Sequence, residues 1–152
     1  MLIAPMNLGV GLVDDSLRSG APVVADALVR DLQRRGARVG VIWAPDAIVL
    51  WNRCAQALPP KPSRDDSVRD VAVAFARELD RTAAYDALLI PSLALRERRM
   101  SLELLALQPG RRPPLEIRWG LDPGHGMVLS DTGPVQDGVS LALEPIWRSI
   151  AR

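Results

Sequence analysis

The chain has 152 residues, of which 48% are apolar and 24% charged, a balance that favours a single globular domain with a proper core. Its net charge of +1 provides no overall field for nucleic acid or an anionic membrane, so we expect neither as a partner. No apolar run approaches the ~20 residues that a membrane span requires.

The N-terminal third predicts a strand, a loop and a helix. Residues 1–7 are short and apolar, and we interpret them as a strand rather than a signal peptide. A helix is predicted over 22–35, because Pro22 suits a first helical turn. Asp31 and Arg35 form an acid-before-base pair four residues apart, which we expect on the solvent side of this helix.

The middle of the chain continues the alternation. A strand is predicted over 37–43, helices over 45–58 and 67–84, and a further strand over 86–97. The apolar run 87–90 is typical of a strand that is covered on both faces. This β-α-β-α-α-β order predicts an α/β fold with a three-layer, mostly parallel sheet and helices on both faces.

The C-terminal third is richer in proline and glycine and predicts antiparallel strands that extend this sheet. We expect a short terminal helix over 144–152. The chain would then be one α/β domain over 1–152, with a core over 1–99 and a β-rich extension over 100–152. The short apolar stretches that favour strands are 102–107, 115–119, 127–129 and 139–143.

The run LDPGHG at 121–126 resembles one found in zinc-dependent peptidoglycan amidases, in which the histidine binds the metal. A catalytic zinc needs three protein ligands and an open position, whereas His125 is the single histidine of the chain. We therefore interpret the run as a turn between strands with His125 at its tip, and predict no metal site.

The run GVGLVD at 9–14 nearly matches the glycine-rich dinucleotide fingerprint that follows a strand. Asp14 replaces the third glycine, and the predicted helix begins about ten residues later. A phosphate would therefore miss the helix N-terminus that such loops use. We predict a flexible loop and no bound cofactor.

Two polar residues end predicted strands, and α/β folds place ligands at the carboxyl ends of strands. Asn7 ends the first strand and Ser92 lies at the end of the apolar part of the third. We name Asn7, Asp14 and Ser92 as candidate ligand-binding residues; the alternative is that Asn7 and Ser92 merely cap strand ends. We predict no catalytic residue, because Cys54 lies on an apolar helical stripe and reads as a small buried hydrophobe.

Arginines cluster at three places, near 34–38, 96–99 and 111–112. Acidic residues nearly balance them, and one Phe and one Tyr provide few stacking platforms for single strands. We interpret the clusters as solvated faces and predict no nucleic-acid partner.

The phrases IAPMN, LQRRGARVGVI and YDALLIPSLALRERR resemble the α/β accessory domains of bacterial envelope proteins, the TolB N-terminal and curli-secretion lipoprotein type. The resemblance covers about residues 2–99. It implies a non-enzymatic domain that docks on partner proteins in the periplasm or cell envelope; without it, the expectation is cytoplasmic.

Two functions follow as hypotheses. The first is a non-catalytic protein-interaction or assembly domain, in which an exposed sheet edge pairs with a protein partner or a second copy. The alternative is a small-molecule domain for nucleotides or sugars, with a cleft at the carboxyl ends of the strands.

Overall fold

The computed structural model describes residues 1–8, 15–96, 99–111, 114–121 and 132–150. The described elements, in chain order, are β1 (Leu2–Ile3), α1 (Asp15–Arg34), β2 (Gly40–Val41), α2 (Ala44–Ala57), α3 (Arg64–Leu79), β3 (Leu88–Arg96), β4 (Arg99–Leu107), β5 (Leu115–Gly120) and α4 (Thr132–Ile150). None of the helices in these segments is long and apolar enough to cross a membrane.

The described strands form one five-stranded mixed sheet in the order β2-β1-β3-β4-β5. β1 pairs in parallel with both β2 and β3. β3, β4 and β5 pair antiparallel in succession. The predicted α/β class and the antiparallel C-terminal strands are confirmed. The sheet is mixed, however, and not mostly parallel as predicted, because the parallel pairs of β1 with β2 and β3 are short and the antiparallel pairs of β3, β4 and β5 are long.

The helices divide between two buried clusters. Helices α1 and α4 contribute to the first, and α2 and α3 contribute to the second, where the rings of Trp51 and Phe75 lie 5.7 Å apart. Successive residues of β3 alternate between the clusters, since Leu88 and Ile90 belong to the second and Leu89 to the first. Side chains alternate across a strand, so the two clusters take opposite sides of β3.

The predicted start of the first helix at Pro22 is wrong. Helix α1 begins at Asp15 and contains Pro22 in its interior. The missing N–H of Pro22 removes one helical hydrogen bond. The proline lies on the exposed face of the helix, and the apolar stripe on the buried face continues before and after it. The buried residues of that stripe are Leu17, Ala21, Val24, Leu28 and Leu32.

The strand predicted over 139–143 is also wrong, because these residues lie in the 19-residue helix α4. The predicted terminal helix is the end of this longer one. Its buried residues recur every three or four positions, which is the period of a helix and not of a strand. They are Val135, Val139, Ala142, Leu143 and Ile146. The stretch 127–129 lies outside the described residues.

The Asp31–Arg35 pair does not face solvent as predicted; it joins α1 to α4. Asp31 is only 5% exposed, and its Oδ2 lies 2.6 Å from Arg35 Nε. Arg35 Nη1 donates to Glu144 Oε2 at 2.7 Å, and its Nη2 donates to the Ser140 carbonyl at 3.1 Å. One guanidinium therefore ties the end of α1 to the middle of α4.

Candidate functional site

Asn7 connects β1 to β3 through its side chain. Its Nδ2 donates to the Leu93 carbonyl at 2.8 Å, and its Oδ1 accepts from the Leu93 N–H at 2.7 Å. The Asn7 N–H donates to the Pro91 carbonyl at 3.0 Å. The backbone is left-handed there, with a φ of 57°, which asparagine tolerates better than most residues. The side-chain amide thus continues the pairing of β1 with β3 beyond the last paired backbone residue.

This connection lies at the point where the strand order reverses. From β1 the chain goes through α1 to β2 on one side, and then through α2 and α3 to β3 on the other side of β1. In open α/β sheets, ligands bind outside the carboxyl ends of the strands at such a switch point. Asn7 lies there, four residues after the end of β1. The prediction that Ser92 ends a strand is wrong, because pairing with β4 continues β3 to Arg96 and leaves Ser92 in the middle of the strand. Asp14 lies outside the described residues.

A cleft of about 260 Å³ opens beside the switch point, between the first turns of α3 and the surface of β3, β4 and β5. Ser92 lines this cleft, but Asn7 does not. The apolar part of the lining includes Leu8, Val68, Ile90 and Leu105. The structure therefore brings one of the predicted site residues to a cleft and uses another to join the strands behind it.

A row of polar side chains crosses the sheet within this cleft. Ser92 on β3 is the register partner of Glu103 on β4, and Glu103 is the register partner of Arg118 on β5. Residues directly opposite each other on adjacent strands point to the same face of the sheet. All three residues line the cleft.

Ion pairs connect the first turns of α3 to β5 above the apolar lining. Arg69 Nη2 lies 2.6 Å from Glu116 Oε2, and Arg118 Nη2 lies 2.8 Å from Asp65 Oδ2. Arg118 also approaches Glu116 at 3.1 Å and Glu103 at 3.8 Å. These side chains are partly exposed, so each pair contributes little to the stability of the fold. Their main effect is to fix the position of the charges around the cleft.

Arg64, the first residue of α3, is the exception among the charged lining residues. It is exposed, and it has no hydrogen-bond or ion-pair partner among the residues that the structure describes. The cleft thus offers an apolar surface, the hydroxyl of Ser92 and one guanidinium that forms no ion pair with a described residue. These groups can bind a ligand by apolar contact, hydrogen bonding and charge pairing.

Sequence reasoning missed Arg64, Glu103 and Arg118. The third helix is predicted from residue 67, whereas α3 begins three residues earlier, at Arg64. Glu116 and Arg118 lie in the strand predicted over 115–119, but nothing within that stretch indicates that they line a cleft. They line the cleft together with α3, to which ion pairs connect them, and their partners on α3 are about fifty residues away in sequence.

Cys54 is buried as predicted. Burial, with a smaller contribution from the Glu78 carboxylate, raises the pKa of the Cys54 thiol. His125 and the rest of the amidase-like run after Leu121 lie outside the described residues, as does the glycine-rich run 9–14. Within the described segments, no group of three His, Cys, Asp or Glu residues is arranged to hold a metal ion.

A second surface feature lies at the opposite edge of the described sheet. Four large apolar side chains between residues 41 and 49 are exposed, with Trp43 at 72% and Val41 at 64%; the others are Ile48 and Val49. They belong to β2, to the residue that precedes α2, and to the first turns of α2. We call this set the apolar edge.

No protein-family model matches the chain, and no curated protein matches it.

Proposed function

We propose that this chain is a small-molecule-binding α/β domain whose ligand occupies the cleft lined by Ser92. The observation that carries the proposal is a cleft of about 260 Å³ that lies along β3 beyond its register pairs with β1, beside the switch point between these two strands. Its mixture of apolar surface with a few polar groups is the usual composition of a ligand site.

The volume of the cleft limits the size of the ligand that it can bind. Sites for drug-sized ligands usually have volumes of about 300–1,000 Å³, so a cleft of about 260 Å³ suits a smaller molecule than a nucleotide. Of the nucleotides and sugars that the sequence suggested, we retain only ligands of monosaccharide size or smaller.

A filled-cleft variant tests this proposal. We expect Leu105→Trp to occupy the cleft and abolish binding, while Leu141→Trp, on an exposed position of α4 outside the cleft, leaves binding intact. The measurement is a thermal-shift screen of small compounds, followed by amide-shift mapping of each positive compound by NMR. A ligand at a hundred times its Kd adds about 2.7 kcal/mol of stability, which such a screen detects. Positive compounds that still bind Leu105→Trp, or that perturb amides elsewhere, would count against the proposal.

The second candidate function is the protein-interaction or assembly domain, and the apolar edge favours it. Exposed aromatic residues often anchor protein interfaces, and β2 is an outer strand to which another chain could add. The partner would be another protein or a second copy of this chain. We expect Trp43→Ser to abolish self-association or partner capture, measured by light scattering and pull-down, while Leu141→Ser does not. A strictly monomeric wild-type protein that captures no partner would contradict this candidate.

The resemblance to bacterial envelope accessory domains also stays a proposal, and it would place the interaction role in the periplasm. It is consistent with a three-layer arrangement in which the sheet lies between two layers of helices. We propose this arrangement because the side chains of β3 divide between the two buried clusters. Fractionation of cells that express the full-length gene product tests the cellular address.

A further inference from the structure

We propose that the ligand of the Ser92 cleft is a small monocarboxylate, with a compact aromatic or aliphatic body and one carboxylate group. This inference rests on the proposed function, since it names the chemistry of the molecule that the cleft would bind. Three features of the cleft support it, namely its volume, the pairing of its charges and the position of its apolar lining.

The volume sets the size of the ligand body. An engineered apolar cavity of about 150 Å³ binds benzene, and the cleft measures about 260 Å³. It therefore has room for one six-membered ring, or an aliphatic chain of similar bulk, together with a short polar substituent.

The charges around the cleft set the sign of the ligand. The three acidic lining residues, Asp65, Glu103 and Glu116, each lie within 4 Å of a guanidinium nitrogen of Arg69 or Arg118. A cationic ligand would therefore have to displace an arginine from its carboxylate.

Arg64 differs from the other two lining arginines, because it forms no ion pair or hydrogen bond with a described residue. One carboxylate matches that single free guanidinium, and arginine binds carboxylates through paired hydrogen bonds. A polyanion such as a triphosphate would instead lie against the three acidic residues.

The apolar lining sets the orientation. Val68 lies one turn after Arg64 on α3, and it shares the cleft with Ile90 and Leu105 of the sheet. The ligand body would contact these three side chains, with its carboxylate toward Arg64. The Ser92 hydroxyl, within the same lining, then provides a hydrogen bond to a polar atom near the ring.

The test compares phenylacetate with 2-phenylethanol, an uncharged molecule of similar shape, by NMR titration of the full chain. We expect the wild-type protein to bind phenylacetate about fivefold more tightly, as an exposed charge pair allows. Arg64→Gln should remove this preference, and Arg64→Lys should retain most of it. Arg53→Gln, at an exposed position of α2 outside the cleft, serves as the matched control and should bind as the wild type does.

The possible outcomes separate this inference from the function on which it rests. Equal affinity for the acid and the alcohol, both lost in Leu105→Trp, would overturn the carboxylate inference and leave the binding function standing. Persistence of the preference in Arg64→Gln, or equally tight binding of inorganic phosphate in the cleft, would overturn it too. Absence of binding by both probes would count against the inference and the proposed function together.

Discussion

Replacement of Asn7 by glycine and by alanine separates the stability that its side-chain hydrogen bonds contribute from the effect of its left-handed backbone. Asn7 is 8% exposed, and its amide satisfies both the N–H and the carbonyl of Leu93. An unsatisfied buried polar group costs about 1–3 kcal/mol. Glycine accepts the φ of 57° without strain, so Asn7→Gly should lose about 2–6 kcal/mol through the two missing bonds. Asn7→Ala should lose about 1 kcal/mol more than Asn7→Gly, because alanine is strained in a left-handed backbone.

The assay is urea unfolding followed by tryptophan fluorescence, with stability read from the midpoint at unchanged m value. Asn52→Ala, at an exposed position of α2, is the control and should shift stability by less than about 0.5 kcal/mol. If Asn7→Gly also stays within that margin, the bonds to Leu93 do not stabilise the protein. If glycine and alanine are equivalent, residue 7 is not left-handed in solution.

Three further predictions concern the pairing of α1 with α4 and the buried thiol. Arg35→Met should destabilise the protein by about 2–4 kcal/mol in urea unfolding because it leaves Asp31 buried without its cation, whereas Arg30→Met, exposed on the same helix, should be nearly neutral. The hydrogen bond from Arg35 holds the pKa of Glu144 below its ordinary value, so the ion pair stabilises the protein at neutral pH and this stability is lost as the pH falls through the lowered pKa. Glu144→Gln should therefore flatten the acid side of the curve of stability against pH. An unchanged acid side would contradict the pairing. Because burial raises the pKa of the Cys54 thiol, a disulfide reagent at pH 8 should label it only as fast as the core opens, and labelling at the rate of a free thiol would show that Cys54 is accessible.

Hydrophobic period predicted the elements that have one apolar face. The stripe of Val68, Val71, Ala72, Phe75 and Leu79 predicts α3; Val68 is partly buried and the other four residues are buried. The alternation of apolar and charged residues over 115–119 identified β5, and its burial alternates in step. In both cases the side chains that contact the core are close neighbours in sequence, so a short window contains the signal.

Two elements are predicted wrongly, the start of α1 and the strand over 139–143. In each case a local signal, a proline or a short apolar run, conflicts with the helical repeat of buried residues over a longer window. Pro22 was taken as a helix start, although Leu17 and Ala21 continue the stripe before it. The run VSLAL at 139–143 is too short to distinguish a buried strand from a buried helix. A window from Val135 to Ile146 contains the helical repeat that distinguishes them.

The candidate site was predictable only in part. Ser92 was located by the rule that ligands bind at the carboxyl ends of strands, and it lines the cleft. That the Asn7 side chain pairs with Leu93 could not be foreseen, because the partner is 86 residues away. Arg64 and Arg118 likewise reach one cleft from different elements, and a single sequence does not reveal which surface charges meet after folding.

The separation of Asn7 from Leu93 along the chain has a consequence for the order of folding events. Opposed residues of β3 and β4 are at most 19 positions apart, whereas β1 joins β3 across more than eighty. Distant contacts carry the larger entropic cost of loop closure. We therefore expect the β3–β4–β5 meander to form before β1 docks, so that Asn7→Gly accelerates unfolding in stopped-flow experiments and leaves the refolding rate nearly unchanged. β1 would then acquire its native neighbours after the three strands that follow β2 in the chain have paired with one another.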